Sequence, residues 1–386
     1  MIQVTFAALS VILALFILQY VYHASHEQVP VPRTSGGPAN TSSWRAFQNG
    51  GMLQGKADAL PPGKLKLRWE HEIAEGTNSS AVIVDGVVYI GDAGGNVLAI
   101  ELATGTPKWK YKTDSEFSAT PLVLGDCLFI GDLRGTMHAV SLRDGSLLWT
   151  YDAKSEIHSS ANFTRVDILF GSYDNYLYCL NSQTGKEVWK FQTDAQVHAT
   201  PAVMEGLVFC GGCDAMLRAI EALTGELKWA TRTGGAIPTA PICFDSKVAV
   251  GTLNGEVSCF EAATGREVWK KSIEEETCYG SFAYSDGLLF VPGRNKGLYC
   301  LDALTGTIKW TFGSRTGFEA APVVAGNDIY APCKDGRLYV IDTKTGEEKW
   351  LFEAGGSIEG SPAIGEGAVV FCDTKGTLYC LSPSNK

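Results

Sequence analysis

Along most of the chain, apolar residues fall in short runs broken by Gly, Asp or Asn. In one stretch Thr120–Leu124 is such a run, Gly125-Asp126 a turn, and Cys127–Gly131 a second run. A turn over 132–135 leads to Thr136–Ser141, and Asp144-Gly145 leads to Ser146–Tyr151. Short runs of alternating or apolar character separated by such turns predict hairpins of β-strands. Helical periodicity is missing from every such stretch. The N-terminus follows another rule. Val4 to Val21 is almost wholly apolar, interrupted by Thr5, Ser10 and Gln19. A helix of that length would rise about 27 Å, close to the hydrocarbon thickness of a bilayer. Residues 1–25 are therefore expected to be a membrane anchor or signal segment. No Lys or Arg precedes the apolar run, so the basic n-region of a cleaved signal is missing. That favours an uncleaved anchor with the rest of the chain exported. Residues 26–62 read as a flexible tether and lead-in, rich at first in Pro, Gly, Ser and Thr.

The strand pattern repeats. Trp69, Trp109, Trp149, Trp189, Trp229 and Trp269 are spaced by 40 residues, Trp310 follows after 41 and Trp350 after 40. Gly105, Gly145, Gly185, Gly225, Gly265, Gly306 and Gly346 each stand four residues before a Trp, after Thr in six cases and Asp144 in the seventh. Four antiparallel strands in a unit of about 40 residues make one blade of a β-propeller. Seven units end in their own Trp. The stretch Ser361–Leu381 holds three more strands and lacks a closing Trp, whereas Leu65–Ile73 carries Trp69 with no unit before it. One strand at the head of the chain thus completes the last blade. The fold class is all-β, an eight-bladed propeller over 63–386, closed by its N-terminal strand and preceded by a membrane helix. Closure of this kind removes an open sheet edge. The eight indoles read as structural docking residues. Each buries roughly 150–250 Å², worth at most about 4–6 kcal/mol of transfer free energy.

The segment from Leu180 to Trp189 (Leu-Asn-Ser-Gln-Thr-Gly-Lys-Glu-Val-Trp), with Leu301–Trp310 and Ile341–Trp350, resembles the tryptophan-docking repeat of the pyrroloquinoline-quinone (PQQ) propellers. The resemblance spans Leu65 to Leu381, and Trp44–Gly51 is similar to the lead-in before many bacterial propellers of this type. It implies two activities. Some members are dehydrogenases holding PQQ and a calcium ion on the propeller axis. Others, of the outer-membrane assembly factor BamB type, use the propeller as a protein-binding scaffold. Long insertions, an adjacent Cys pair and a Cys-x-x-Cys-His haem site are all missing here, which favours the scaffold. A lipidated N-terminal Cys, as in the BamB type, is missing too, since the first cysteine is Cys127. The expectation is a non-catalytic scaffold for a protein or ligand partner in the cell envelope, anchored in the membrane with its propeller on the periplasmic side. It expects no cofactor. The alternatives are a PQQ- and calcium-dependent dehydrogenase and an extracytoplasmic sensor module.

Composition changes this picture little. The chain has 386 residues, 45% of them hydrophobic and 19% charged, which is a globular balance. A net charge of −10 repels phosphate backbones and argues against nucleic acid. Of the eleven cysteines, Cys179, Cys259, Cys300 and Cys380 share one repeat position that Ala99, Ala139 and Ala219 fill in other blades. Such exchange marks small buried hydrophobes. Cys210-Gly-Gly-Cys213 has redox spacing but sits at a strand end, outside any βαβ unit. No metal set and no catalytic constellation emerges.

One position in the repeat stands out. Nine residues after each Trp lie Asn78, Ser118, His158, His198, Pro238, Tyr279 (one residue further on), Glu319 and Glu359. The first strand of a propeller blade lines the central channel, so these residues are expected to ring one mouth. Unlike core positions they vary and are mostly polar, which is where function is grafted onto a constant frame. The ring is expected to bind a small polar ligand, a cation or a partner's side chain. The neighbouring carboxylates of Glu319 and Glu359 call for a cation, proton or donor between them.

Overall fold

In the computed structural model of the protein, residues 43–58, 60, 64–73, 75–273 and 278–383 are described. The expected anchor, residues 1–25, and the start of the tether lie outside them. Among the described residues no helix is long and apolar enough to cross a membrane.

Residues 65–383 form eight blades of four antiparallel strands, each with a short inner strand and a long outer one, in chain order except for the outer strand of the last. Blade 1 is Val82–Val84, Val87–Gly91, Asn96–Glu101 and Pro107–Lys112. Blades 2 to 7 begin at Leu122, Asn162, Ala202, Ile242, Ala283 and Val323. Blade 8 takes Ala363–Gly365, Ala368–Cys372 and Thr377–Pro383, and its outer strand is Leu65–Glu72, paired antiparallel with Thr377–Pro383. The closure expected from Trp69 is present. The two middle strands of each blade are nearly all buried, as in Leu128, Phe129 and Ile130, and they carry the core.

The indoles hold neighbouring blades together. Each outer strand bulges beside its Trp, as between Cys179 and Leu180 opposite Trp189. The bulge turns the ring toward the next blade. There the Trp69 indole N–H donates to the Leu102 carbonyl at 2.8 Å, and six further indoles, up to Trp310 on Thr343, do the same at 2.9 to 3.1 Å. The indole face meets the glycine of the next blade's last turn. Gly185 has φ +68°, a left-handed conformation, and a Cβ there would lie 2.6 Å from the Trp149 ring. Glycine thus serves the turn and the indole contact together. Trp350 packs partly buried against the core of blades 8 and 1. Directly across from the indoles in the ladder stand Ala99, Cys179, Cys259, Cys300 and Cys380, all fully buried. Under each of the seven docked indoles this position holds Ala or Cys, because it lies beneath the ring, and opposite Trp350 it holds Val340.

The inner strands leave eight sheet edges facing the axis, whose backbone N–H groups need partners. Residues 43–57 supply them to six blades by running around the axis, and meet the other two through side chains. Ile83 exchanges two bonds with Trp44 (2.7 and 2.8 Å). The N–H groups of Val123, Val203, Cys243, Tyr284 and Val324 then donate in turn to the carbonyls of Arg45, Gly51, Met52, Gln54 and Gly55, at 2.8 to 3.0 Å. Blade 3 uses a side chain instead: Asn162 accepts from Gly51 N–H at 2.8 Å and donates to the Gly51 carbonyl at 2.9 Å. Ser43 Oγ reaches Glu366 of blade 8 at 3.3 Å, and Lys56–Ala57 pairs in parallel with Val323–Ala325. Trp44 is 2% exposed and Gln48 1%, so this segment is part of the folded body. At Gly55 a Cβ would collide with the Gln48 side chain, and the backbone there is left-handed as well.

Candidate functional site

Residues 43–57 plug the channel, and a cup lies where Phe47 meets the axial ends of the blades. Phe47, on the single turn Phe47–Asn49, forms part of its floor. All eight residues of the expected ring line it: Asn78, Ser118, His158, His198, Pro238, Tyr279, Glu319 and Glu359. The residue two places on from each ring position also lines the cup. Ser80, Thr120, Ser160, Thr200, Ser281 and Ser361 make a hydroxyl belt below the ring, interrupted by Ala240 and Ala321. The belt ties blades together. Thr120 N–H donates to Ser160 Oγ at 2.9 Å, Ser160 N–H to Thr200 Oγ1 at 3.1 Å, and Ser361 N–H to Ser80 Oγ at 2.9 Å. The cup holds ≈ 180 Å³.

Its two sides differ. On blades 3 and 4 the rings of His158 and His198 lie 5.6 Å apart, with Tyr173 at 4.6 Å from His158. His158 Nε2 is 2.8 Å from Glu156, a carboxylate that only accepts, so this nitrogen carries the proton. Its Nδ1 lies 3.3 Å from Ser118 Oγ. Burial, helped by neighbouring His158, holds His198 below the ordinary imidazole range. Burial also raises the Tyr173 phenol, which stays protonated and donates to His198 Nδ1 at 2.8 Å. This side is neutral at His198 and aromatic. The propeller's buried His138 is elsewhere, paired with Asp132 at 3.0 Å inside blade 2.

The side made by blades 6 to 8 is charged. Arg294 Nε donates to Glu319 at 2.6 Å, and its guanidinium lies 4.8 Å from the Tyr279 ring centre. Lys334 Nζ lies 3.4 Å from Glu319 and 3.8 Å from Glu359. The cation called for between the two carboxylates is therefore the protein's own. Burial works to raise the Glu319 carboxyl, but the bond to Arg294 and the charges of Arg294 and Lys334 outweigh it, holding Glu319 below the usual range. Tyr173, Arg294 and Lys334 occupy one repeat position, in the turn between the two middle strands; Leu133, Cys213 and Leu253 fill it in blades 2, 4 and 5. Comparing blades 24 residues after each Trp (25 after Trp269, where one extra residue intervenes) finds this set in the sequence.

All eleven cysteines are free. Cys210 is buried at a strand end, with its thiol pushed up to about 12 by burial, while Cys213 is exposed in the turn. Among the described residues no three His, Cys, Asp or Glu side chains converge as metal ligands.

A profile of the family described as outer membrane protein assembly factor BamB matches residues 44–166, 156–253 and 253–385. The fold is similar to that of BamB from Moraxella catarrhalis (15% identity, 83% of this chain and 100% of that one, TM-score 0.73). It is also similar to a europium-containing methanol dehydrogenase (13%, 88% and 98%, 0.78) and to the quinohemoprotein alcohol dehydrogenase of Comamonas testosteroni (12%, 94% and 85%, 0.78). No curated protein sequence matches the chain.

Proposed function

Because the chain belongs to the family of the outer membrane protein assembly factor BamB, we propose that it is a non-catalytic propeller scaffold that binds a partner at the cup. In this reading residues 1–25 tether it to a membrane and the propeller stands on the periplasmic side of a cell envelope. The observation that carries the reading is the cup itself: a small polar recess with a closed floor, whose carboxylates are already matched by Arg294 and Lys334. Its ring is built from loops on a rigid frame, the usual arrangement of a binding surface.

A quinone with its metal ion fits this recess poorly. At ≈ 180 Å³ the cup falls below the ~300 Å³ where small-molecule sites begin. Its two carboxylates are held by side-chain cations, and the remaining ring members are mostly neutral. Titration of the purified full chain with PQQ and calcium separates the two readings. The expected result is no saturable quinone absorbance and no reduction of an electron-accepting dye with alcohols. Stoichiometric quinone uptake with dye reduction would make the protein a dehydrogenase. For the location, a periplasm-restricted labelling reagent applied to intact cells is expected to reach Cys213; labelling only after lysis would remove the envelope placement.

A further inference from the structure

The cup draws its carboxylates and its cations from different parts of the blades. Glu319 and Glu359 belong to the lining, with side chains 17% and 32% exposed, whereas Arg294 and Lys334 reach them from the surrounding turns, at 46% and 37%. A group entering the cup therefore meets the carboxylates as part of its lining, which does not include the two cations. Around these lie acceptors: the hydroxyls of Ser80, Ser281 and Ser361 and the amide of Asn78. On the opposite wall His198 is kept neutral by burial, so it does not repel a positive charge.

The two cations are held differently. Arg294 meets Glu319 at 2.6 Å, a short charge-assisted bond. Lys334 spans Glu319 and Glu359 at 3.4 and 3.8 Å, beyond the 2.7–2.9 Å of a good ammonium–carboxylate bond. Its ammonium neutralises two carboxylates without bonding either closely. A second cation able to make shorter bonds to both carboxylates would displace it.

We infer that the cup receives the basic side chain of a partner polypeptide, with its ammonium or guanidinium seated at Glu319 and Glu359 in place of Lys334. This rests on the scaffold reading and gives the partner its chemistry. A recess of ≈ 180 Å³, narrower than ordinary small-molecule sites, suits one long side chain better than a folded ligand. The rim supplies the second part of the match. Tyr173, Leu253 and Leu133 form a partly apolar arc opposite Lys334. Apolar residues flanking the inserted side chain would rest on this arc. The net charge of −10 draws a basic partner toward the protein at long range.

The test uses the full chain and capped pentapeptides alike except for a central lysine, arginine, glutamate or leucine, followed by titration calorimetry. The lysine and arginine peptides are expected to bind, and the glutamate and leucine peptides not. Glu359→Gln is expected to weaken the lysine peptide roughly 10- to 100-fold, the worth of a charge-assisted hydrogen bond. Lys334→Ala is expected to tighten it several-fold, because the competitor is gone. That opposite sign separates direct competition from damage to the fold, which would weaken binding in both variants. No heat from the lysine peptide at millimolar concentration overturns the inference. So does equal binding of the glutamate peptide, or weaker binding in Lys334→Ala. Displacement of the lysine peptide by calcium chloride alone at equal concentration would assign the carboxylates to a metal ion and also overturn it. Any of these results with no quinone uptake removes the inference and leaves the scaffold reading standing; quinone uptake removes the scaffold reading itself.

Discussion

The outer edge of each blade and its axial end come from the same repeat, yet they obey opposite rules. At the outer edge seven indoles meet seven glycines and seven carbonyls in one geometry. At the axis eight equivalent positions hold six kinds of residue. The difference is one of constraint. A Trp wedged between two sheets fixes the residue beneath it, the glycine it stacks on and the carbonyl it bonds, so any change costs packing. A side chain facing an open cup touches few neighbours, so packing leaves its identity free and binding chemistry can choose it.

Breaking a dock should give the largest effect. Trp189→Ala empties a buried site and leaves the Ala222 carbonyl without its indole donor. The expected loss is about 3–5 kcal/mol, measured by denaturant unfolding. Gly185→Ala attacks the same kind of interface from the other side, forcing a Cβ against Trp149 in a left-handed turn. Glu359→Gln, at the axis, should change stability by less than about 1 kcal/mol, as for a half-exposed ion pair. Equal losses at dock and ring would erase the contrast.

The plug comes next. Asn162 is fully buried and stands where the other blades carry Val, Leu, Ala or Ile. It bonds both polar groups of Gly51 and donates to the Pro201 carbonyl at 2.8 Å. Asn162→Ala strands those groups and should cost about 2–3 kcal/mol. Cleavage within residues 43–57 by a dilute protease should rise in the same variant. Unchanged proteolysis would mean that the ring of carbonyl bonds alone holds the segment.

This contrast also explains what the sequence disclosed. The blade number, the closing strand around Trp69 and the eight ring positions were all legible, because each depends on a residue recurring at a fixed interval. The plug was not. It contacts six of the blades through main-chain carbonyls, which leave no mark on residue identity, and it occurs once rather than eight times. Trp44–Gly51 could be read as a lead-in, but the one trace of where it docks is Asn162, a polar residue at an otherwise apolar repeat position. Tyr173, Arg294 and Lys334 were legible in principle, at a second fixed distance from the indoles, but rim turns vary so much that no residue flags them. The need for a cation between Glu319 and Glu359 could be read; that Lys334 supplies it could not, since the two meet only across neighbouring blades.

The ring's charges offer a gentler probe. The folded-state pKa of Glu319 is depressed, so its pairing with Arg294 and Lys334 stabilises the protein fully above the ordinary glutamate range. That contribution is lost as pH falls through the depressed value. The stability gap between wild type and Glu319→Gln should therefore be about 1 kcal/mol or less at neutral pH and close in acid. His198 acts earlier. Its pKa is also depressed, so the unfolded chain takes up a proton first as pH drops below the ordinary imidazole value. Stability should begin to fall there, before the carboxylate titrates, and His198→Asn should remove only this first phase. A single phase surviving both substitutions would place the acid sensitivity outside the cup.

The smallest effect is expected under the indoles. Cys259 faces Trp269 across the ladder, and three other blades fill that position with Ala99, Ala139 and Ala219. Burial pushes the Cys259 thiol up to about 12, so it stays protonated and behaves as a small apolar group. Cys259→Ala removes one sulfur from a site whose backbone already accommodates alanine elsewhere, and should cost about 1 kcal/mol or less by the same unfolding measurement. Cys259→Leu adds atoms directly beneath the indole and should cost several times more. If alanine proved as damaging as leucine, the sulfur would have a role beyond filling space, and the blades would be less interchangeable at their docks than seven matching indole bonds imply. If both were tolerated, the indole would not fix the residue beneath it, and the contrast between dock and cup would lose its physical cause.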